Sequence, residues 1–167
     1  MSEIEKIVNR VKYLRENDLI TDAEEVVIVA LEDYEDSWQL WLELGHIRIR
    51  KQDFEYAAKA FLNATNLEPE AFWPWLNLGH AQRALGDYEA AIEATENALR
   101  VESGEEELYL AYYNLARYNA LVGRTEEAMD FLKTALENDE SLRSLAREDS
   151  DLDSLRNEPG FEFLVKS

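Results

Sequence analysis

Residues 41–64 read WLELGHIRIRKQDFEYAAKAFLNA, and residues 75–98 read WLNLGHAQRALGDYEAAIEATENA: one pattern written twice, 34 residues apart. Trp41 matches Trp75, Leu44 matches Leu78, Gly45 matches Gly79 and His46 matches His80. Further on, Asp53 matches Asp87, Phe54 matches Tyr88, Ala57 matches Ala91 and Ala64 matches Ala98. A fixed period of this length marks helical hairpins, each too small to bury its own apolar face and therefore stacked on the next. The repeat decides the fold class. It also moves the functional question from catalysis to what a stacked surface holds.

The order Trp, Leu-Gly, Ala, aromatic, Ala, Pro resembles the tetratricopeptide repeat (TPR). Residues 38–71 carry it as Trp41, Leu44, Gly45, Ala57, Phe61, Ala64 and Pro69. Residues 72–105 keep Trp75, Leu78, Gly79, Ala91 and Ala98, with Thr95 for the aromatic and Ser103 for the proline. Upstream, residues 4–37 form a degenerate copy with Ile7 at the Trp position. Downstream, after the insertion Glu106 to Leu108, residues 109–142 supply Tyr112, Leu115, Ala116, Gly123, Ala128, Leu132 and Ala135. Both Ala positions are filled in every copy, because a larger side chain there would push the two helices of a hairpin apart. The resemblance implies an all-α fold, a right-handed superhelical solenoid of about four hairpins in a single domain spanning residues 1–167. In such a fold the first helix of each hairpin (helix A) lines a concave groove and the second (helix B) forms the convex back.

Residues 143–167 do not continue the repeat. Leu145, Leu152, Leu155, Phe161 and Leu164 suit a C-terminal helical cap over the apolar end that a solenoid exposes. The phrases Leu-Ala-Arg-Glu-Asp and Asp-Leu-Asp-Ser-Leu-Arg resemble the closing unit of many bacterial TPR proteins, which implies a natural C-terminus. Gly86-Asp87, Gly123-Arg124 and Gln52-Asp53 read as hairpin turns. Asp53, Asp87 and Thr125 read as N-caps, and Thr21 with Glu24 has capping-box spacing.

At 46% apolar residues the chain has enough hydrophobic side chains for a continuous core. It contains no stretch approaching 18 uncharged apolar residues, so no membrane association is expected. The start, Met-Ser-Glu-Ile-Glu-Lys, lacks the apolar run of a signal peptide. The absence of cysteine removes disulfide and thiolate chemistry and fits a cytoplasmic setting, bacterial or archaeal. The net charge of −19 is unevenly spread. The A segments hold nine cations and three acids, the B segments four cations and 24 acids. The expectation is a mildly basic groove inside an acidic shell. Such a shell repels duplex nucleic acid.

Groove positions follow from the 3.6-residue helical period. One such row reads Asn9, Glu43, Asn77 and Asn114. An Asn amide both donates and accepts, so a row of them pairs with a peptide backbone whatever its side chains. This resembles TPR grooves that hold extended peptides. The next row reads Lys12, His46, His80 and Arg117 and, with Arg50 and Arg83, makes a cationic strip suited to an acidic or phosphorylated peptide. Trp73 and Tyr113 fall at groove positions as aromatic anchors, whereas Trp41 and Trp75 hold the motif's own place and read as core. His46 and His80 supply only two ligands, so no metal site is expected. The carboxylate clamp of chaperone-binding TPR domains is missing: its positions hold Val8, Leu42, Leu76 and Tyr113, with Glu5, Gln39, Trp73 and Leu110.

No Gly-rich phosphate loop, cysteine or nucleophile motif points to catalysis, and no cofactor is implied. The reading is a non-enzymatic module that binds a peptide segment or partner protein in its groove. The alternative is a structural or self-associating scaffold subunit that uses terminal or convex faces. The acidic clusters repel one another within a Debye length. Raising NaCl from low salt to about 0.5 M, where screening is strong, should therefore raise the melting temperature. A melting temperature that falls with salt would mean that local ion pairs already compensate the shell.

Overall fold

Four successive segments of alternating apolar and polar residues fold as paired helices. The computed structural model describes residues 1–101 and 104–166, with the side chains of Glu105 and Glu106 left aside, so Ser103 lies outside the described residues. The pairs are α1 (Glu3–Glu16) with α2 (Ile20–Asp33), α3 (Trp38–Arg50) with α4 (Phe54–Leu67), α5 (Phe72–Leu85) with α6 (Tyr88–Arg100), and α7 (Glu105–Leu121) with α8 (Thr125–Asn138). Then follow α9 (Leu142–Glu148), a 3-10 helix (Ser150–Leu155) and α10 (Phe161–Val165). Each helix packs on its neighbours in chain order, so the molecule is an all-α solenoid. No strand occurs among the described residues, and none of their helices is long and apolar enough to cross a membrane.

Small side chains set the spacing within each hairpin. Ala23, Ala57, Ala91 and Ala128 are fully buried, and Ala64, Ala98 and Ala135 likewise. Gly45 allows a closer approach still: a Cβ there would stand 2.2 Å from the Phe61 ring. In the next hairpin Thr95 replaces that ring, and a Cβ on Gly79 would stand 2.5 Å from Thr95 Oγ1. Thr95 satisfies its buried hydroxyl by donating to Ala91 O at 2.7 Å. The aromatic and its replacement therefore fill the same contact with different chemistry.

The turns repeat as well. Asp18, Gln52, Gly86 and Gly123 occupy equivalent places and all have positive φ, between 58° and 82°. Glycine adopts this left-handed conformation freely and Asp tolerates it, whereas Gln52 bears its steric cost. Asp53 and Asp87 cap the following helices, accepting from the Tyr56 and Ala90 N–H groups. Two expected caps are not formed. Thr125 and Thr21 both lie inside their helices, whose N-cap positions fall on Arg124 and Leu19 without a side-chain bond. The capping box instead forms at Ser2 and Glu5.

Trp41 and Trp75 are half-buried rather than core. Each indole N–H donates to the carbonyl six residues earlier, Glu35 O at 2.7 Å and Pro69 O at 2.8 Å, and so fastens the turn between hairpins. On the acidic shell Glu24 meets Arg48 at 3.0 Å and Lys51 at 2.7 Å, local compensation of the kind that weakens a salt response.

The closing segment packs Leu152, Leu155, Phe161 and Leu164 against the last hairpin, whereas Leu145, expected in that cap, is 50% exposed. Leu152, Leu155 and Phe161 are fully buried in one cluster with Leu132, Leu136, Ala116 and Ala120. Removing residues 143–167 would expose that face, at about 1.5–3 kcal/mol for each large apolar side chain returned to water. The truncated protein should melt without cooperativity or aggregate, as followed by circular dichroism and light scattering. A monomer with unchanged melting temperature would show that these residues are dispensable.

Candidate functional site

Helix α1 contacts α3 and α5 contacts α7, and the shared face of these four helices is the candidate groove. Charge on that face is gathered at two places.

At the first, Glu43 is 1% exposed. It accepts from Arg15 Nε at 3.1 Å, while Lys12 Nζ approaches at 3.9 Å. Glu43 therefore pins α3 to α1 and is no rung of an amide row. Burial raises its pKa, and the neighbouring Arg15 and Lys12 oppose that rise. His46 lies one turn further on, its ring edge-on to Phe61 with centroids 5.6 Å apart. Burial, together with the positive charges of Arg15 and Lys12 and the proximity of His80, lowers its pKa to about 4. Burial, Arg117 and Arg83 lower that of His80 as well. Both imidazoles are thus neutral at physiological pH, each with one N–H donor and one bare nitrogen.

At the second, the closing segment enters the groove. Asp151, 5% exposed, accepts from Arg83 Nε at 2.9 Å and from Arg117 Nη2 at 2.7 Å. Asp149 accepts from the Tyr113 hydroxyl at 2.9 Å and meets Arg117 Nε at 3.0 Å. Tyr113 is consequently buried, 4% exposed, and is not an open anchor. Burial first, then the Asp149 charge, raises its phenol pKa. Asn114 turns its Oδ1 to Arg117 Nη1 at 3.3 Å. Arg50 leaves the groove for its rim, where it pairs with Asp18 at 2.6 Å.

The expected basic groove is therefore nearly neutral. Lys12, Arg15, Arg83 and Arg117 meet the three carboxylates of Glu43, Asp149 and Asp151. Between the two charged places runs an open stretch. Trp73 is 41% exposed and stands edge-on to Phe72. Asn77 donates its amide N–H to Trp73 O at 2.8 Å, which leaves its Oδ1 with acceptor capacity. His80 follows one turn later and is exposed, as is Asn9 at the N-terminal end.

Three residues that shape the site escaped the sequence reading. Arg15 sits in register with Arg83, and that shared phase was a usable signal. Asp149 and Asp151 lie beyond the last repeat, where the period gives no register to read.

Residues 70–141 match the tetratricopeptide repeat family. No curated protein matches the chain. Among solved structures, that of MamA superposes with a TM-score of 0.74 at 22% identity, over 85% of this chain and 81% of MamA. The structure of YrrB, described as a TPR protein with an unusual peptide-binding site, superposes with a TM-score of 0.72 at 16% identity, over 95% of this chain and 88% of YrrB. At these identities the likeness is one of fold.

The lowered pKa of His46 links the groove to stability. The unfolded chain binds a proton near pH 6.5 and the folded chain only near 4, so stability falls as pH drops through that window. The raised pKa of Glu43 acts in the opposite sense above its ordinary value. His46→Gln isolates the imidazole. Between pH 7 and 5 the variant should lose on the order of 1 kcal/mol less stability than the wild type in urea denaturation. Equal losses would show that His46 titrates alike in both states.

Proposed function

We propose that this chain, whose residues 70–141 match the tetratricopeptide repeat family, is a non-enzymatic interaction module holding an extended peptide on the open stretch of its groove. The observation that carries this reading is the run of exposed Trp73, half-buried Asn77 and exposed His80 along α5. Trp73 offers a large apolar surface at low conformational cost, and such residues dominate binding hot spots. The Asn77 Oδ1 is able to accept a backbone N–H, and a neutral His80 either donates or accepts. Lys12 and Asn9 extend the path toward α1.

This chemistry reads a peptide's backbone and one apolar side chain. It does not select strongly for acid, since the guanidinium groups of Arg83 and Arg117 are matched from within. The peptide-binding description of YrrB, a protein of like fold, is consistent with the proposal. A second reading has one observation in its favour. The first hairpin holds a cavity of about 530 Å³ whose lining includes Ile7, Leu14, Val26 and Val29, with Arg10, Asp22, Glu25 and Asp33 among them. Val29 there is 58% exposed, which supports self-association through a terminal face.

Peptides selected from a random display library against the wild-type protein test the first reading. Trp73→Ala should weaken them by roughly 2 kcal/mol or more, the range of a hot-spot aromatic, and Asn77→Ala by less. Binders that retain full affinity for both variants place the site elsewhere. Sedimentation that shows an oligomer dispersed by Val29→Asp would instead favour the terminal face.

A further inference from the structure

The closing segment does more than cover the last hairpin. After α9 the chain turns so that its 3-10 helix lies along α7, and Asp151 reaches past α7 to Arg83 on α5. The Asp151 carboxylate bridges two guanidinium groups that belong to successive hairpins. Asp149 Oδ2 accepts from the Tyr113 hydroxyl and stands 3.0 Å from Arg117 Nε, which it shares with Asp151, and its other oxygen accepts the Asp151 N–H at 3.0 Å. Arg83, Arg117 and Tyr113 are the groups that a free groove would offer to an acidic ligand, and two carboxylates seven and nine residues past α9's start engage all three.

We propose that Asp149 and Asp151 are specificity determinants: they act as a built-in carboxylate ligand that occupies the C-terminal half of the groove and excludes acidic segments from it. The surroundings make this occupancy permanent. Leu152 and Leu155, directly after Asp151, are fully buried, and Ser154 Oγ donates to Ala120 O at 3.1 Å. Arg156 Nη1 donates to Arg147 O at 2.6 Å and holds the far end of the segment. An incoming carboxylate would have to extract two apolar side chains and leave Asp151 buried without its partners, which is strongly unfavourable. The groove's partner is thereby directed to α1, α3 and α5, where Trp73, Asn77 and His80 stand open. That last consequence rests on the peptide-binding reading above, whereas the exclusion itself does not.

The test uses the full chain and a fluorescein-labelled hexa-aspartate peptide at low ionic strength. In the wild type the probe should leave the Arg83 and Arg117 side-chain Nε–H signals unmoved in NMR spectra. The double variant Asp149→Asn, Asp151→Asn keeps the shape of the segment and frees the cations. Its anisotropy-measured affinity for the probe should rise by at least about tenfold, the worth of one charge-assisted hydrogen bond. Both arginine signals should then shift. Asp151→Glu retains the acid and should gain nothing. Movement of the Arg83 and Arg117 signals in the wild type would overturn the proposal, and this arm needs no variant to fold. So would a folded double variant with no gain. Trp73→Ala should change none of these outcomes, so a failure of the α5 peptide site and a failure of this exclusion are read separately.

Discussion

Helix pairs in this protein meet through alanine methyl groups and bare glycine backbone, and that close contact governs everything built on it. With Gly45 lacking a Cβ, the Phe61 ring settles directly on the α3 backbone. The same closeness recurs at Gly79, against a threonine instead of a ring. Interiors packed this tightly leave little freedom for the helices to slide. The A helices are consequently held at a set spacing, and side chains on their shared face fall into rows. The groove is a by-product of how the hairpins close.

Rows of side chains on a fixed scaffold must still satisfy their charges. A guanidinium buried against neighbouring helices is costly without a carboxylate partner. The protein meets this demand twice, in different ways. At the N-terminal end a residue of the repeat itself, Glu43, turns inward to Arg15 and Lys12. At the C-terminal end no repeat residue is available, and the closing segment supplies Asp149 and Asp151. Electrostatic compensation and capping of the apolar end are thus accomplished by one short stretch of chain. The residual surface between these two pairings carries Trp73, Asn77 and His80.

The neutral state of the two histidines belongs to the same logic. Each faces cations, Arg15 and Lys12 for His46, Arg83 and Arg117 for His80, and His46 is in addition half-buried. A proton on either ring would add a charge where the local balance is already struck. The imidazoles serve as hydrogen-bonding groups of either polarity, a property that suits recognition of a peptide backbone, where donors and acceptors alternate.

The 34-residue period by itself determined the hairpin fold, the buried Ala rows and the groove phase of Asn77, His80 and Trp73, because local periodicity dictates which residues share a helix face. The turns at Gln52, Gly86 and Gly123 were legible for the same reason, since the chain passes through a left-handed residue at each of these hairpins. What only the tertiary structure decided was the fate of the charges. Whether an arginine in the groove is free depends on which acid reaches it across 34 or 68 residues of sequence, as Asp151 reaches Arg117 and Arg83. Glu43 looked like a groove residue and became a buried partner of α1, and Tyr113 looked like an anchor and became a donor to Asp149. Helical periodicity assigns a face to each side chain. Long-range pairing then settles whether that face remains open, and no local pattern encodes it, because it depends on where a non-repeating segment comes to rest.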